Sequence, residues 1–534
     1  MSFSKFHIPY QQTGYFSNLV TAYLNQEDDL LPFYTHKPNI EGIKSAIKSR
    51  EYFKVDRKLL VNELQKGYEG VSLSNKLKEN IDLLFNENTY TVCTAHQPNL
   101  FTGHLYFIYK ILHAVKLAAE LNAAIPNRRF VPLFFMGSED ADLDELGEVE
   151  IDGKSYRWQT EQTGAVGRML VDDALLDLIR QMEGQLGVLP YGIQVIQLLK
   201  EAYQKGRTIE KATLYMVNAL VGHLGVIVLL PDSAGFKKSF SSLLKKELKE
   251  QFSATAINDT LKVFPKRFNT QTVGRDINLF YLDEQLRNRI ERDGNDYRVV
   301  DTPISFTENE IVQLLEDRPK CFSPNVILRP VLQEFILPNV AFIGGGGELA
   351  YWLELKGVFE RAQVPYPVLV LRNSFLLVPK RWTEKLTEWN LEPEALFITK
   401  EYLLNRLVKE KLNQDLSLSK EISIIEKTFD GIVPLAVQQD NSLLHHVPAL
   451  KQQIIKKVQA LEKKIYRAAR KRENVLVNQV ETMHNILFPN NQLQERVDNI
   501  FPYYARWGAD IINELLEMSP LLSNPSFTVI LENK

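Results

Sequence analysis

The sequence predicts an α/β protein built around a parallel sheet, and its pattern, composition and length carry this prediction. Short apolar runs rich in β-branched and aromatic residues alternate with longer segments of helical period, which is typical of parallel strands joined by crossover helices. The 534 residues are 45% hydrophobic and 24% charged, which is enough apolar material for a large core. At about 100 to 200 residues per domain, this length predicts three or four structural units, or one large core with insertions.

The first strand and the first core helix follow each other closely. The run YTVCTA at 90–95 predicts a strand, and LYFIYKILHAVKLAAEL predicts a helix with a buried stripe at Ile108, Ile111, Leu112, Val115 and Ala119. A second strand, RFVPLFFM, ends in the acidic run SEDADLDE. Further strands are predicted at GVIVLLP near 225–231, NVILRPV near 325–331, the segment around 341–343, and VPYPVLVLR near 364–372. We expect these runs to form one sheet.

Charged helical segments interrupt this pattern and then replace it. The run FKKSFSSLLKKELKEQF predicts a helical insertion at 236–320, between two halves of the core at 86–235 and 321–380. Residues 1–85 are expected to form a helical segment that packs on the core, and strands fade in the C-terminal region 381–534.

A coiled coil is predicted within that C-terminal region. Apolar residues recur there at steps of three and four, with Lys and Glu between them, at Leu450, Ile454, Val458, Leu461, Ile465, Ala468 and Val475. The alternative is an ordinary amphipathic helix that packs on its own domain. If the stripe pairs subunits, the protein is a homodimer through residues of about 445–485, because the aliphatic side chains would otherwise face water.

Charge and targeting signals exclude several classes of partner. The formal net charge is -3, so the whole molecule has no field that would collect nucleic acid or anionic lipid. The start, MSFSKFHIPY, lacks the features of a signal peptide, and the longest apolar runs are too short to span a bilayer. Cys93 and Cys321 form no CxxC pair, which argues against a disulfide framework or a cysteine-rich zinc site. We expect a cytoplasmic protein with no nucleic-acid or membrane partner and no bound metal.

Two loops at predicted strand ends are candidate ligand sites. In AHQPNLFTGHLYFIYK, His96, Gln97, Asn99, Thr102 and His104 stand between a strand and a helix, where ligands bind in open α/β sheets. In the acidic run, Glu139, Asp140 and Asp142 also follow a strand, and Asp140 and Asp142 could accept a proton or hold a cation; a solvated turn is the alternative.

A glycine-rich loop provides a third candidate. In GGGGELAYW, Gly344 and Gly346 would need a glycine at 349 to complete GxGxxG, but Leu349 stands there, and the chain has no Walker A lysine. Four glycines between a strand and a helix still allow backbone amides to approach a ligand closely, although they also suit a flexible turn.

These motifs resemble those of the cysteine-adding enzymes of bacillithiol biosynthesis. The family signature G-(H/Q)-Q-x-x-L-x-T-G-P-L-Y is matched at His96, Gln97, Leu100, Thr102, Gly103, Leu105 and Tyr106, and departs at Ala95 and at His104, where the family usually has proline. Its segment W-x-A-x-E-D-H-D-F-x-E-I is matched at Glu139, Asp140, Asp142 and Glu145, with Ala141 in place of histidine. Further blocks are similar at Gly164 to Arg168, at Arg329, Pro330, Gln333, Glu334, Gly344, Gly345, Glu348 and Tyr351, and at Gln494, Glu495 and Arg496. Their shared order identifies the chain as a member of this family.

The resemblance implies a Rossmann-like core similar to that of nucleotidylyltransferases and class I aminoacyl-tRNA synthetases, with insertions and a C-terminal coiled coil that pairs subunits. It implies a ligase that joins the cysteine carboxyl to the glucosamine amine of glucosaminyl-malate, the last step of bacillithiol biosynthesis. ATP is left open as a cosubstrate. The pair Gly103 and His104 stands where the relatives' Gly-His pair steadies nucleotide phosphates, although His96 and His104 are too far apart for an HxGH motif.

The resemblance and the chemistry of amide formation together give the residues their expected roles. The reaction needs an activated carboxyl and a deprotonated amine, so we expect catalytic residues among His96, His104, Glu139, Asp140 and Asp142. Arg168 and Arg329 suit the malate carboxylates, unless they form internal ion pairs. The remaining substrate-binding candidates are Gln97, Asn99, Thr102, Gly103, Tyr106, Gly344, Gly345, Glu348 and Tyr351.

Two alternative functions remain open at this point. A nucleotidylyltransferase-like enzyme that activates a different acid would use the same loops. A scaffold without catalytic activity, built on the basic helix KKVQALEKKIYRAARKR, would tolerate loss of the acidic run. For an enzyme, the segments 96–106, 139–142 and 344–347 should line one pocket, since each follows a strand of the same sheet.

Overall fold

The computed structural model describes residues 2–272, 274–413 and 416–533. The chain divides into two compact units: a first unit of Met1–Leu377 with Leu493–Lys534, and a second unit of Val378–Gln492. The last 42 residues of the predicted C-terminal region, from Leu493 onward, therefore belong to the first unit. None of the described helices has both the length and the apolar character of a membrane span.

The first unit holds all the described strands. They are β1 (Phe3–Ile8), β2 (Thr89–His96), β3 (Arg129–Met136), β4 (Glu148–Ile151), β5 (Lys154–Arg157), β6 (Ile227–Leu229), β7 (Leu279–Asp283), β8 (Leu286–Asp293), β9 (Asp296–Val299), β10 (Ser305–Phe306), β11 (Phe322–Pro324), β12 (Asn339–Gly344), β13 (Val368–Leu371), β14 (Ser374–Val378) and β15 (Phe527–Glu532). Only the last residue of β14 crosses into the second unit.

The helices of the first unit surround these strands. They are α1 (Tyr10–Thr13), α2 (Asn18–Leu24), α3 (Ile40–Glu51), α4 (Arg57–Gly67), α5 (Asn75–Leu83), α6 (Leu105–Ala124), α7 (Leu143–Leu146), α8 (Asp173–Leu186), α9 (Gly192–Ala202), α10 (Ile209–Val221), α11 (Ala234–Glu250), α12 (Phe252–Val263), α13 (Glu308–Asp317), α14 (Arg329–Ile336), α15 (Gly346–Glu354), α16 (Lys356–Ala362), α22 (Ile500–Trp507) and α23 (Asp510–Met518).

The central sheet is parallel and has the order β13-β12-β2-β3-β6. Its middle strand β2 is buried up to its last residue, so it reads in the sequence as a continuous apolar run. The side chains of α6 and α3 pack against the sheet, where Ala114, Leu117 and Ile43 share one core with Val92 and Ile343. The predicted α/β core is confirmed, because these five strands coincide with five of the six predicted runs.

The remaining predicted strand, NVILRPV at 325–331, is not a strand, so this prediction is wrong. The side chain of Asn325 accepts hydrogen bonds from the backbone N–H groups of Ile327 (2.9 Å) and Leu328 (3.3 Å), which turns the chain into α14. Pro330 then stands in the first turn of that helix, a position where its missing N–H costs nothing. The apolar run was therefore a turn and a helix start with buried side chains.

The insertion at 236–320 contains the predicted helix, as α11, and also an antiparallel sheet. This sheet has the order β10-β9-β8-β7-β11. Its longest strand, LRNRIERD, is only partly buried and mostly polar. A polar strand with one wet face leaves no apolar run in the sequence, which is why this sheet was not predicted.

The second unit is helical, with α17 (Lys380–Glu388), α18 (Lys400–Leu412), α19 (Ser419–Gln439), α20 (Leu443–Arg472) and α21 (Asn474–Leu487). Helices α19 and α20 pack against each other along their length. Ile455 and Ala469 of α20 are buried within this unit, whereas Leu450 and Leu461 of the predicted stripe are 41% and 52% exposed. Part of the predicted apolar stripe is thus exposed in the described part of the chain.

Candidate functional site

A pocket of about 340 Å³ opens at the carboxyl ends of β2, β3 and β12. It brings together the three segments that the sequence predicts to be neighbours. The predicted residues on its wall are His96, Gln97, Tyr106, Glu139, Asp140, Arg329, Gly345, Glu348 and Tyr351. The predicted residues that do not line it are Asn99, Thr102, Gly103, His104, Asp142, Arg168 and Gly344.

His96 ends β2 and presents a neutral imidazole to this pocket. Its ring lies 5.3 Å from the ring of Tyr106 and 5.6 Å from that of Phe107, measured between centroids. Burial and the nearby Lys110 lower the pKa of His96 well below its ordinary value. At neutral pH the ring is therefore a hydrogen-bonding group and not a cation.

The residues from Asn99 to His104, between β2 and α6, form a tight turn and do not line the pocket. Gly103 has a φ of +59°, and a side chain there would collide with Asn99 at 2.7 Å. The Nδ1 atom of His104 lies 3.0 Å from the carbonyl oxygen of Val497, and burial lowers the pKa of this histidine. These residues shape the loop that carries His96 and Tyr106.

Glu139 and Asp140 face the pocket in different environments. Glu139 forms a buried ion pair with Lys237 and accepts a hydrogen bond from Ser323 Oγ at 2.8 Å. Asp140 accepts a hydrogen bond from Gln97 Nε2 at 3.2 Å and lies 3.6 Å from the guanidinium of Arg287, with its side chain 35% exposed. Glu139 is therefore locked by its partners, whereas Asp140 is held in place and still accessible.

Two predicted residues have structural partners instead of a pocket position. Asp142 caps the short helix α7 by accepting a hydrogen bond from the backbone N–H of Glu145 at 3.1 Å. Arg168 holds Asp232 with two hydrogen bonds, from Nε at 2.6 Å and from Nη2 at 3.0 Å. For Arg168 this is the internal ion pair that the sequence left open as the alternative.

The glycine loop closes the opposite side of the pocket. Glu348 turns back to accept a hydrogen bond from the Gly345 N–H at 2.8 Å, and it forms an ion pair with the buried Lys110. Gly344 ends β12, and its carbonyl accepts a hydrogen bond from the backbone N–H of Arg372 at 2.8 Å. The helix N-terminus is thus capped by the chain's own carboxylate.

Four cationic residues of the wall were not predicted as site residues: Lys110, Arg287, Arg372 and Arg496. Three of them left a signal in the sequence, since Lys110 interrupts an apolar run of helix α6, Arg372 directly follows β13, and Arg496 belongs to a block that resembles the family. Arg287 left none, because it reaches the pocket from β8 of the unpredicted sheet.

The balance of charge on the wall favours an anionic ligand. Lys110 pairs with Glu348, and Arg372 pairs with Glu495 at 2.7 Å. Arg329 donates to the hydroxyl of Tyr351 at 2.8 Å and lies over the ring of Phe135. Within the described residues, neither Arg329 nor Arg496 has a carboxylate partner, so both guanidinium groups are free to bind a carboxylate or phosphate.

The described residues include no cluster of three or more His, Cys, Asp or Glu side chains arranged to hold a metal ion. The pocket wall offers a neutral imidazole, an accessible carboxylate and several guanidinium groups.

Comparisons with known proteins match one family along nearly the whole chain. The profile described as "Bacillithiol biosynthesis BshC, N-terminal Rossmann-like domain" matches residues 1–373, and "Bacillithiol biosynthesis BshC, C-terminal coiled-coil domain" matches residues 375–532. A relative from Flavobacterium johnsoniae is 36% identical and covers 97% of this chain and 98% of its own. One from Christiangramia forsetii is 37% identical, with 97% of each chain covered. Both are named "Putative cysteine ligase BshC".

The N-terminal profile includes the pocket-lining loops that follow β2, β3 and β12, and the C-terminal profile includes Arg496 and the helical second unit. Together the two profiles account for nearly all of the sequence. The chain belongs to the BshC family of bacillithiol biosynthesis.

Proposed function

We propose that this protein is a ligase that joins the carboxyl group of cysteine to the glucosamine amine of glucosaminyl-malate, as the last step of bacillithiol biosynthesis. The observation that carries the proposal is the polarity of the pocket. The pocket wall carries an accessible carboxylate, Asp140, together with Arg329 and Arg496, whose guanidinium groups have no carboxylate partner among the described residues. An amine that also bears two carboxylates is complementary to this arrangement.

Asp140 is the proposed proton acceptor for the attacking amine. An ammonium group is not a nucleophile, so its proton must leave before the carbon–nitrogen bond forms. Asp140 is oriented by Gln97 and reachable from the pocket, whereas Glu139 is engaged by Lys237 and Ser323. The Nδ1 atom of His96 lies 3.3 Å from the carbonyl oxygen of Gln97, which can only accept, so the neutral ring keeps its proton there. Its Nε2 atom is the proposed hydrogen-bond acceptor for a donor group of the substrate.

Arg329 and Arg496 are proposed to bind the malate carboxylates. A guanidinium group can hold a carboxylate through two parallel hydrogen bonds, and both groups lack a carboxylate partner of their own within the described chain. The cysteine carboxyl also needs activation before an amine attacks it, so ATP is proposed as the cosubstrate.

The test is a mass-spectrometric assay with cysteine and glucosaminyl-malate, with and without ATP. Asp140→Asn should lower turnover by about 100- to 10,000-fold, because an amide of equal shape cannot take the proton. Asp144→Asn is the matched control, since Asp144 is 86% exposed on the neighbouring helix and pairs with Arg157. Near-normal turnover in Asp140→Asn would remove this residue from the mechanism.

The same assay distinguishes the proposed ligase from the alternative function. A nucleotidylyltransferase-like enzyme that activates a different acid would turn over nucleotide in the absence of cysteine. Product formation that depends on both cysteine and glucosaminyl-malate would exclude that alternative.

We also propose that the protein works as a homodimer in the cytoplasm. The exposed part of the apolar stripe on α20 supports pairing, because side chains such as Leu461 remain exposed in the described part of the chain. Replacing Leu461 and Ile465 with lysine should give monomers in light scattering, whereas Gln453→Lys, on an exposed position of the same helix, should not. An unchanged mass for the double variant would place the dimer interface elsewhere.

The two cysteines are unpaired and buried, which suits the cytoplasm.

A further inference from the structure

A second cavity, of about 220 Å³, lies within the first unit and is separate from the catalytic pocket. Its wall combines aromatic and aliphatic residues, such as Tyr10, Tyr23, Leu371 and Leu521, with the side chain of His113. No Asp, Glu, Lys or Arg lines it. Apolar walls with a few placed polar groups are typical of small-molecule sites, and this volume is slightly below the usual range for drug-sized ligands.

His113 contributes an imidazole ring to this wall. It lies on α6, its residue is 5% exposed, and its Nδ1 atom accepts a hydrogen bond from the backbone N–H of Asn373 at 3.0 Å. A backbone N–H can only donate, so Nδ1 carries no proton. Burial, with a contribution from Arg372, lowers the pKa of His113 to about 4, so the ring is neutral and its single proton is on Nε2.

The Nε2–H group has no hydrogen-bond partner among the described residues. Since Nδ1 is turned toward Asn373, Nε2 is the ring atom left for the cavity. The Nε2 atom is open to the cavity and not sealed in the core, so a ligand atom there can accept its proton.

We propose that this cavity binds a small, uncharged ring compound whose carbonyl oxygen or ring nitrogen accepts the Nε2 proton of His113. The ligand must be uncharged because the wall offers no counter-charge, and an unpaired buried charge is costly. It must be small and largely apolar because the volume and the aromatic lining leave room for about one ring system.

The cavity shares a short stretch of backbone with the catalytic pocket. The hydroxyl of Tyr10 donates to the carbonyl oxygen of Arg372 at 3.3 Å, and Asn373 donates to His113, while the guanidinium of Arg372 lines the catalytic pocket. A ligand that moves Tyr10 or His113 therefore acts on the backbone that carries Arg372. By linkage, catalytic-site ligands would then change the affinity of the second cavity by the same factor.

The test uses benzamide as the neutral acceptor, with the full-length protein and ligand-observed NMR or calorimetry. We expect a dissociation constant on the order of 1 mM, as is reasonable for a compound of this size. His113→Asn keeps an oxygen where Nδ1 was and removes the Nε2 donor, so it should weaken binding by about five- to tenfold. Leu521→Trp should block the cavity from its exposed side and abolish binding.

Val188→Trp is the matched control, because Val188 is 82% exposed and lies outside this cavity. Benzoate, the charged isostere, tests the requirement for a neutral ligand, and any benzoate binding at the arginine-rich pocket should be insensitive to Leu521→Trp. The proposal is overturned if wild type does not bind benzamide at about 10 mM, some tenfold above the expected constant. Benzamide binding that survives Leu521→Trp, or benzoate binding that this variant removes, would also overturn it.

Discussion

The buried ion pair between Arg372 and Glu495 should be strongly coupled, and Glu495→Gln tests this. The side chains are 5% and 0% exposed, and Nη2 of Arg372 donates to Oε1 of Glu495 at 2.7 Å. The second oxygen of Glu495 accepts a hydrogen bond from the backbone N–H of Phe375 at 3.3 Å. The variant removes the counter-charge of a guanidinium group that has little access to water.

The expected cost follows from what remains around the cation. Breaking a buried pair on one side costs about 3–5 kcal/mol of unfolding free energy. Arg372 keeps the carbonyl of Asn373 at 2.9 Å and the hydroxyl of Ser374 at 3.1 Å, so we expect the lower end, about 3 kcal/mol. Arg372→Met combined with Glu495→Gln should cost less than the sum of the two single variants, by about 1.5 kcal/mol or more.

The assay must isolate the first unit, because two compact units can unfold separately. A background with Trp382→Phe and Trp389→Phe leaves tryptophan fluorescence as a probe of the first unit alone. Urea unfolding of the parent, the two single variants and the double variant then gives the coupling free energy. Costs that add to within about 0.5 kcal/mol would refute the reasoning, since independent sites add in this way.

Two further predictions concern residues near Arg168. Burial, with Asp232 nearby, raises the pKa of Glu210 to about 7, so its stabilising contribution is present below the unfolded pKa of about 4.3 and is lost as pH rises through about 7. Glu210→Gln should therefore raise the unfolding free energy relative to wild type by on the order of 2 kcal/mol at pH 8. The gain should be smaller at pH 5.5, and an equal gain at the two pH values would contradict this prediction. Gly167→Ala should lower the melting temperature, because the new Cβ would lie 2.3 Å from the carbonyl oxygen of Ser138; Gly184→Ala, with open space around it on a helix, should raise it slightly.

The parts of the site that follow parallel strands could be predicted from the sequence, and those that arrive from elsewhere could not. His96, Asp140 and Gly345 each stand just beyond an apolar run, and parallel strands bring such positions to one edge. Arg287 comes from a polar strand of another sheet, so no local pattern reveals it. Arg168 has the same residue type and loop position as a substrate-binding arginine, and only its contact with Asp232 reveals an internal role.

Some residues of the C-terminal region could be named from the sequence but not placed. Gln494, Glu495 and Arg496 were visible as a motif, and their position beside β14 depends on a chain return after 115 residues of the second unit. No period or propensity encodes such a return. It is set by buried side-chain hydrogen bonds that form only in the folded state.

The side chain of Gln494 closes the gap from which the second unit departs. It accepts a hydrogen bond from the backbone N–H of Leu377 at 2.9 Å and donates one to the Leu377 carbonyl at 3.1 Å. Gln494 thus joins the two segments of the first unit where the second unit is inserted between them, as in a domain inserted into a host domain. A variant in which a short linker of glycine and serine replaces residues 378–492 should still fold as the first unit. A different domain could then be inserted at the same position.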